Sequence, residues 1–296
     1  NPITDKDGRL VSDFSIELTQ SSNGNLTKIE LTSKNLHLIF KIFPNSNTSL
    51  TAYKIGEVDA VYGLPDIGLE DLSKQGTTKT SDNLNQSLII YLNTKEATLK
   101  NKFIRQALAY TLSDKSFGRI RSLGPISPLS WSYNPLVKPY DSDLTKAIKL
   151  IKDATKDQAV SLELATNPTY LSIAEDIKRQ LELIGISADV RVVTAKPENY
   201  QLYLTTFDSP ADPDQYIYWH STQSQLNKSK LDNEKIDKLL EDGRRALSIV
   251  DRKRIYAEFQ RTFSEELPAI FLFHPRYLNI TRTKNLFDII DPSLAF

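Results

Sequence analysis

Cysteine is absent from all 296 residues, which excludes disulfide frameworks, thiolate metal sites and cysteine nucleophiles. A cysteine-free chain suits an oxidising, extracytoplasmic setting. Methionine is absent too, and the chain opens on Asn1, so a processed or trimmed chain is expected. Neither sign of charge is in surplus: Lys+Arg and Asp+Glu number 37 each. Phosphate recognition wants a basic excess, so nucleic acid is not an expected partner. No apolar run approaches the roughly 20 residues that a membrane span needs. No secretory leader pattern stands at the start, so an extracytoplasmic protein of this sequence is expected to have lost its leader.

Catalytic signatures are equally scarce. The chain lacks a Gly-x-Ser-x-Gly elbow, a His-Glu-x-x-His helix, a Walker loop and a Gly-x-Gly-x-x-Gly turn. Its three histidines (His37, His220 and His274) lie far apart in sequence, and the simplest reading is that each packs or hydrogen-bonds locally. Asp212-Pro213-Asp214 superficially matches the Asp-x-Asp with which some metal-dependent glycosyltransferases hold a metal–nucleotide. Two carboxylates beside a proline are more simply turn formers. Arg252-Lys253-Arg254, near a helix start, reads as a solvated face.

What is present is an ordinary globular composition, 40% hydrophobic and 25% charged, long enough for one large or two medium domains. Alternation at residues 14–18 and 29–31 around Asn23-Gly24 predicts a hairpin. Strands are expected at 38–43, 58–62, 87–92, 202–206 and 269–273. A short helix over 50–55 should stop at Gly56. Phe103, Ile104, Ala107, Leu108, Thr111 and Leu112 make one stripe of a helix over 100–113. Residues 161–193 read as strand, helix, strand: a right-handed βαβ crossover with parallel strands, and hence an α/β lobe. Two later helices are expected, one carrying Ile236, Leu239, Leu240, Ala246 and Leu247, the other N-capped by Asp251. Aromatics and carboxylates gather in predicted loops: Trp131 and Tyr133 in one, and Phe207, Asp208, Asp212, Tyr216, Tyr218 and Trp219 in another. Exposed loop aromatics around a carboxylate suit small-ligand binding, although the same rings serve equally well as packing.

The order of several segments resembles the dipeptide-, oligopeptide- and nickel-binding proteins of ABC importers. The match is carried by Gly56-Glu57-Val58-Asp59-Ala60, by Arg105-Gln106-Ala107-Leu108 with Ser113-Asp114-Lys115, by Gly124-Pro125-Ile126-Ser127-Pro128 and by Tyr140-Asp141. Downstream, Ile173 to Ile177 with Ile184-Gly185-Ile186, Ile236 to Leu240, and Arg252 to Gln260 closing on Leu267-Pro268 continue it. The resemblance spans roughly residues 38–283, and it departs at the N-terminus, where family members are much longer.

That resemblance implies an α/β, type II periplasmic-binding fold with an incomplete first lobe. Residues 1–92 would belong to a β-rich lobe I, 93–272 to lobe II, and 273–296 would return to lobe I. It implies an extracytoplasmic monomer, lipid-anchored in full length, that captures a small peptide between lobes without a cofactor and delivers it to ABC-importer membrane subunits. No bond is made or broken. A nickel chelate, haem or oligosaccharide are the alternative ligands within the same fold. In peptide-binding members an Asp upstream of an Asp-Pro pair takes the ligand's α-amino group; here Asp208 is that residue if one residue is inserted before Asp212-Pro213. The expected ligand-binding set is Thr205, Thr206, Phe207 and Asp208 at a strand end, with Trp131, Tyr133, Tyr216 and Trp219 around it.

Overall fold

The computed structural model describes residues 15–34, 36–67, 72 and 74–283. In chain order the elements are β1 (Ser15–Gln20), β2 (Leu26–Thr32), β3 (His37–Lys41), α1 (Ser46–Lys54), β4 (Ala60–Pro65), β5 (Thr77–Asp82) and β6 (Gln86–Leu92). There follow α2 (Lys102–Thr111), α3 (Leu144–Thr155), β7 (Val160–Thr166), α4 (Leu171–Glu182), β8 (Ile186–Val192) and β9 (Leu202–Asp208). The last are α5 (Tyr216–Trp219), α6 (Glu234–Arg245), α7 (Ile249–Glu266), β10 (Ala269–Phe273) and β11 (Arg276–Thr281). A 3-10 turn at Pro168–Tyr170 leads into α4. The chain divides into two compact units, one of residues 1–81 with 277–296 and one of residues 82–276.

In the first unit β1, β2 and β3 form an antiparallel meander. Its first turn has Gly24 at φ +77, a conformation costly for a residue with a Cβ. A second sheet, ordered β4-β11-β5, packs with α1 around Tyr53, Val61, Leu64, Leu72 and Ile280. Helix α1 begins earlier than hydrophobicity suggests, because Asn45 accepts from the Thr48 amide at 2.9 Å. It ends where expected, with Gly56 left-handed at φ +81.

The second unit is built on a five-stranded sheet ordered β10-β6-β9-β7-β8. Apolar β6, buried along nearly its whole length, runs antiparallel to both β10 and β9. Strands β7 and β8 are parallel across α4, the βαβ unit read from the sequence. Helix α2 contributes Ile104, Ala107, Leu108 and Thr111 to the core, but Phe103, expected on the same stripe, is half exposed beside the Asn101 cap.

Two residues of the second unit, Arg105 and Gly243, have structural duties. Arg105 is buried and donates to the carbonyls of Leu99 at 2.8 Å, Lys100 at 3.0 Å and Leu267 at 3.2 Å, and also to that of Glu266. It thereby satisfies the orphan carbonyls at the end of α7. Gly243 of α6 lies so close to α7 that a Cβ there would meet the Tyr256 ring at 2.8 Å.

Two helix boundaries need correction. Helix α7 is capped by Ser248, which accepts from the Asp251 amide, so Asp251 is an N3 residue and not the cap. A Ser-x-x-Asp sequence places both an oxygen acceptor and a carboxylate in the first turn, and the serine wins the cap position. Helix α6 stops at Arg245, which leaves Leu247 fully exposed beyond its end.

Candidate functional site

All eight expected ligand-binding residues lie in the second unit, and four of them, Thr205 to Asp208, form the C-terminal end of β9. β9 pairs with β6 along its full length, from Leu92↔Leu202 to Gln86↔Asp208. On its other side it pairs with β7 only from Leu164↔Leu202 to Thr166↔Leu204. β7 ends there, since Asn167-Pro168 turns the chain into the 3-10 turn and proline cannot continue a ladder. The main chain of Thr205 to Asp208 therefore has an edge that no strand of this sheet covers.

Asp208 stands exposed at the end of this edge, where Gln86 Nε2 donates to its Oδ1 at 2.6 Å. The adjacent backbone is fastened down. Ser209 donates from its amide to Asn85 O at 2.7 Å and from its hydroxyl to Pro125 O at 3.0 Å. Ser127 Oγ reaches Leu84 O at 3.0 Å. The Gly124–Pro128 loop is thus bolted to the turn before β6 and to the residue after Asp208.

The aromatic residues divide into a surface set and a supporting set. Trp131 is exposed, and the Arg252 guanidinium lies 5.5 Å from its ring centre. Tyr216 stacks on the His220 ring at 4.1 Å, and the Arg244 guanidinium lies 4.4 Å from its ring centre. Tyr133 and Tyr218 are half-buried against the core, and burial raises the Tyr133 pKa. Trp219 is completely buried; its indole donates to Gln215 Oε1 at 3.2 Å, and Phe263 packs against it at 4.6 Å. Phe207 and Thr205 are buried as well, with Phe207 against Trp219, Tyr218 and Phe271. Thr206 is half-buried. The residues of α5, expected in a loop, make one helical turn whose inner face supplies Trp219.

The two acidic residues beside Pro213 are held by arginines. Asp212 takes a two-pronged contact from Arg252, at 2.7 and 3.2 Å, and accepts the Asp214 amide at 3.0 Å. Arg252 holds the Asp212 carboxyl below the usual carboxylate range. Asp214 pairs with Arg244 Nε at 2.8 Å and accepts the Tyr216 amide at 3.0 Å. Both carboxylates are thereby committed to ion pairs and turn formation. No group of three or more His, Cys, Asp or Glu suited to a metal ion occurs among the described residues. Arg252, read from sequence as solvated, instead ties the Asp212 loop to the Trp131 loop. Sequence reasoning also missed Gln86 and Lys228. The Lys228 ammonium sits 5.1 Å from the Tyr91 ring centre, and burial and Lys196 lower its pKa while Asp208 acts to raise it. A lone Gln on a strand and a Lys in a loop carry no sequence signal that would have singled them out.

Comparison with known proteins places the chain in a family and a fold. The family model of bacterial extracellular solute-binding proteins, family 5 middle, matches residues 32–228. A probable di/tripeptide-binding protein 5 of Pseudomonas aeruginosa is 24% identical over 272 residues, covering 83% of this chain and 51% of the relative. The dipeptide-binding protein of Escherichia coli is 22% identical over 285 residues, covering 86% and 53%. The chain thus spans about half the length of the curated relatives it matches. Among solved structures, NikZ from Campylobacter jejuni in complex with Ni(L-His) superposes with a TM-score of 0.78 at 20% identity, over 90% of this chain and 62% of that one. DppA from Helicobacter pylori, in complex with a peptide, superposes at 0.75 and 21% identity, over 91% and 58%. The fold is that of a type II periplasmic binding protein. No helix among the described residues is long and apolar enough to cross a membrane.

Proposed function

We propose, from the premise that this chain belongs to the bacterial extracellular solute-binding proteins of family 5, that it captures short peptides for an ABC importer. The observation that carries this reading is the half-paired end of β9. An extended peptide can hydrogen-bond as an added strand to the edge of Thr205 to Asp208 that β7 leaves unpaired. Asp208, at the end of that edge, then receives the peptide's α-ammonium, and Gln86 orients its carboxylate. Trp131 and Tyr216 border the ligand's side chains, with Tyr133 half-buried behind them. Phe207 and Trp219 support the strand from beneath. Di- and tripeptide binding in the named relatives favours this class of ligand over a nickel chelate, which has no use for a free strand edge.

The same reading makes the protein extracytoplasmic and monomeric, with importer membrane subunits as its partners. The two compact units would be the two lobes, exchanging at 81/82 and 276/277. Calorimetric titration of a tripeptide and of its N-acetylated form tests the proposal. Acetylation removes the ammonium, so affinity should fall at least about tenfold, or about 1.4 kcal/mol. The Asp208→Asn variant should lose that discrimination. Equal affinities for both peptides in the unaltered protein would remove Asp208 from the site.

A further inference from the structure

Beside β10 and the end of α7, a small pocket of about 20 Å³ is lined by Lys115, Arg121, Lys138 and apolar side chains that include Leu123, Phe263 and Phe271. That volume holds about one water molecule or one monatomic ion. Lys115 is buried, and its ammonium donates to Leu112 O at 3.0 Å and Tyr140 O at 2.6 Å, so its third donor is uncommitted. Arg121 is half-buried and donates to the carbonyls of Phe271 at 2.5 Å and Leu272 at 2.7 Å, and more weakly to Pro139 O. Lys138 lies over the rings of Tyr110 and Tyr140. None of the three forms an ion pair with a carboxylate among the described residues. Asp114 and Asp141 act on Lys115 and Arg121 only from a distance.

We propose that this void is a site for a small monovalent anion of chloride size, held by the Lys115 ammonium and the Arg121 guanidinium. One buried and one half-buried positive charge flank this pocket and repel each other; their hydrogen-bond partners are neutral carbonyls, and Asp114 and Asp141 offset the charge without forming an ion pair with either. A water molecule would fill the space and leave the repulsion, whereas a single anion removes it and takes the free Lys115 donor. The volume of about 20 Å³ leaves no room for larger anions. The burial-lowered pKa of Lys115, about 8, fits two cations sharing a site. The inference is independent of the peptide reading, since neither Lys115 nor Arg121 belongs to the Asp208 site.

Bromide replaces chloride and scatters anomalously, so it is the probe for the 296-residue chain. Crystals grown in bromide should show an anomalous peak within hydrogen-bonding distance of Lys115 Nζ. In solution the urea midpoint should rise saturably with chloride or bromide, but not with gluconate, at constant ionic strength. The folded-to-unfolded ratio should grow about tenfold once the anion reaches ten times its dissociation constant. The Lys115→Met variant should lose this response while keeping tripeptide affinity. A void without anomalous signal, or equal responses to chloride and gluconate, would overturn the proposal even if the variant fails to fold.

Discussion

Lys115 keeps a positive charge where little water reaches it, and burial moves its pKa down to about 8, against roughly 10.4 in an unfolded chain. Between those two values the unfolded state binds more protons than the folded one, so stability rises with pH across that window. The full effect is on the order of 3 kcal/mol, with Arg121 adding to the shift and Asp114 and Asp141 opposing it. In chloride-free buffer the urea midpoint should therefore increase from pH 7.5 to pH 9.5, and Lys115→Met should flatten that rise. A flat profile in the unaltered protein would mean that the lysine is solvated or already neutralised. Single residues were legible in the sequence only where their surroundings are local. Asp208 was singled out by the family resemblance, as the Asp upstream of the Asp212-Pro213 pair, a pattern that neighbouring residues carry. Arg252 did not, because the Asp212 carboxylate that binds it lies forty positions earlier and meets it only in the folded chain.

Elements were readable when burial imposed a period on them. Strand β6 and the β7-α4-β8 crossover show this, since each buries an unbroken or alternating apolar set. Strand β5, Thr-Thr-Lys-Thr-Ser-Asp, has no such pattern, and its place comes from pairing with β11, a partner nearly two hundred residues away. The four-residue α5 is too short for any helical period. Helix starts depend on single hydrogen bonds, which explains the misplacement of the α7 cap at Asp251. Ser248→Ala removes the oxygen that accepts the Asp251 amide and should cost about 1 kcal/mol. Asp251→Ala, which leaves that acceptor in place, should cost clearly less, as judged by paired urea titrations. The reverse ranking would restore Asp251 as the cap.

At the scale of the molecule, the two units differ in how the chain builds them. Residues 82–276 are continuous and contain the whole five-stranded sheet, with Arg276 Nε bonded to Asp82 Oδ1 at 2.9 Å across their ends. The other unit needs two separate stretches. A protein cut to residues 82–276 should therefore fold by itself and unfold in urea as one cooperative transition, whereas residues 1–81 alone lack β11 and should not. Non-cooperative unfolding of the 82–276 piece would count against its independence. The early end of β7 at Thr166 has a chemical consequence for any guest that docks as a strand. Recognition would then read amide protons and carbonyls, which every amino acid shares, so side-chain identity should matter little and the integrity of the guest's own backbone a great deal. Methylating one inward-facing peptide nitrogen of a tripeptide should weaken its binding more than exchanging any of its side chains.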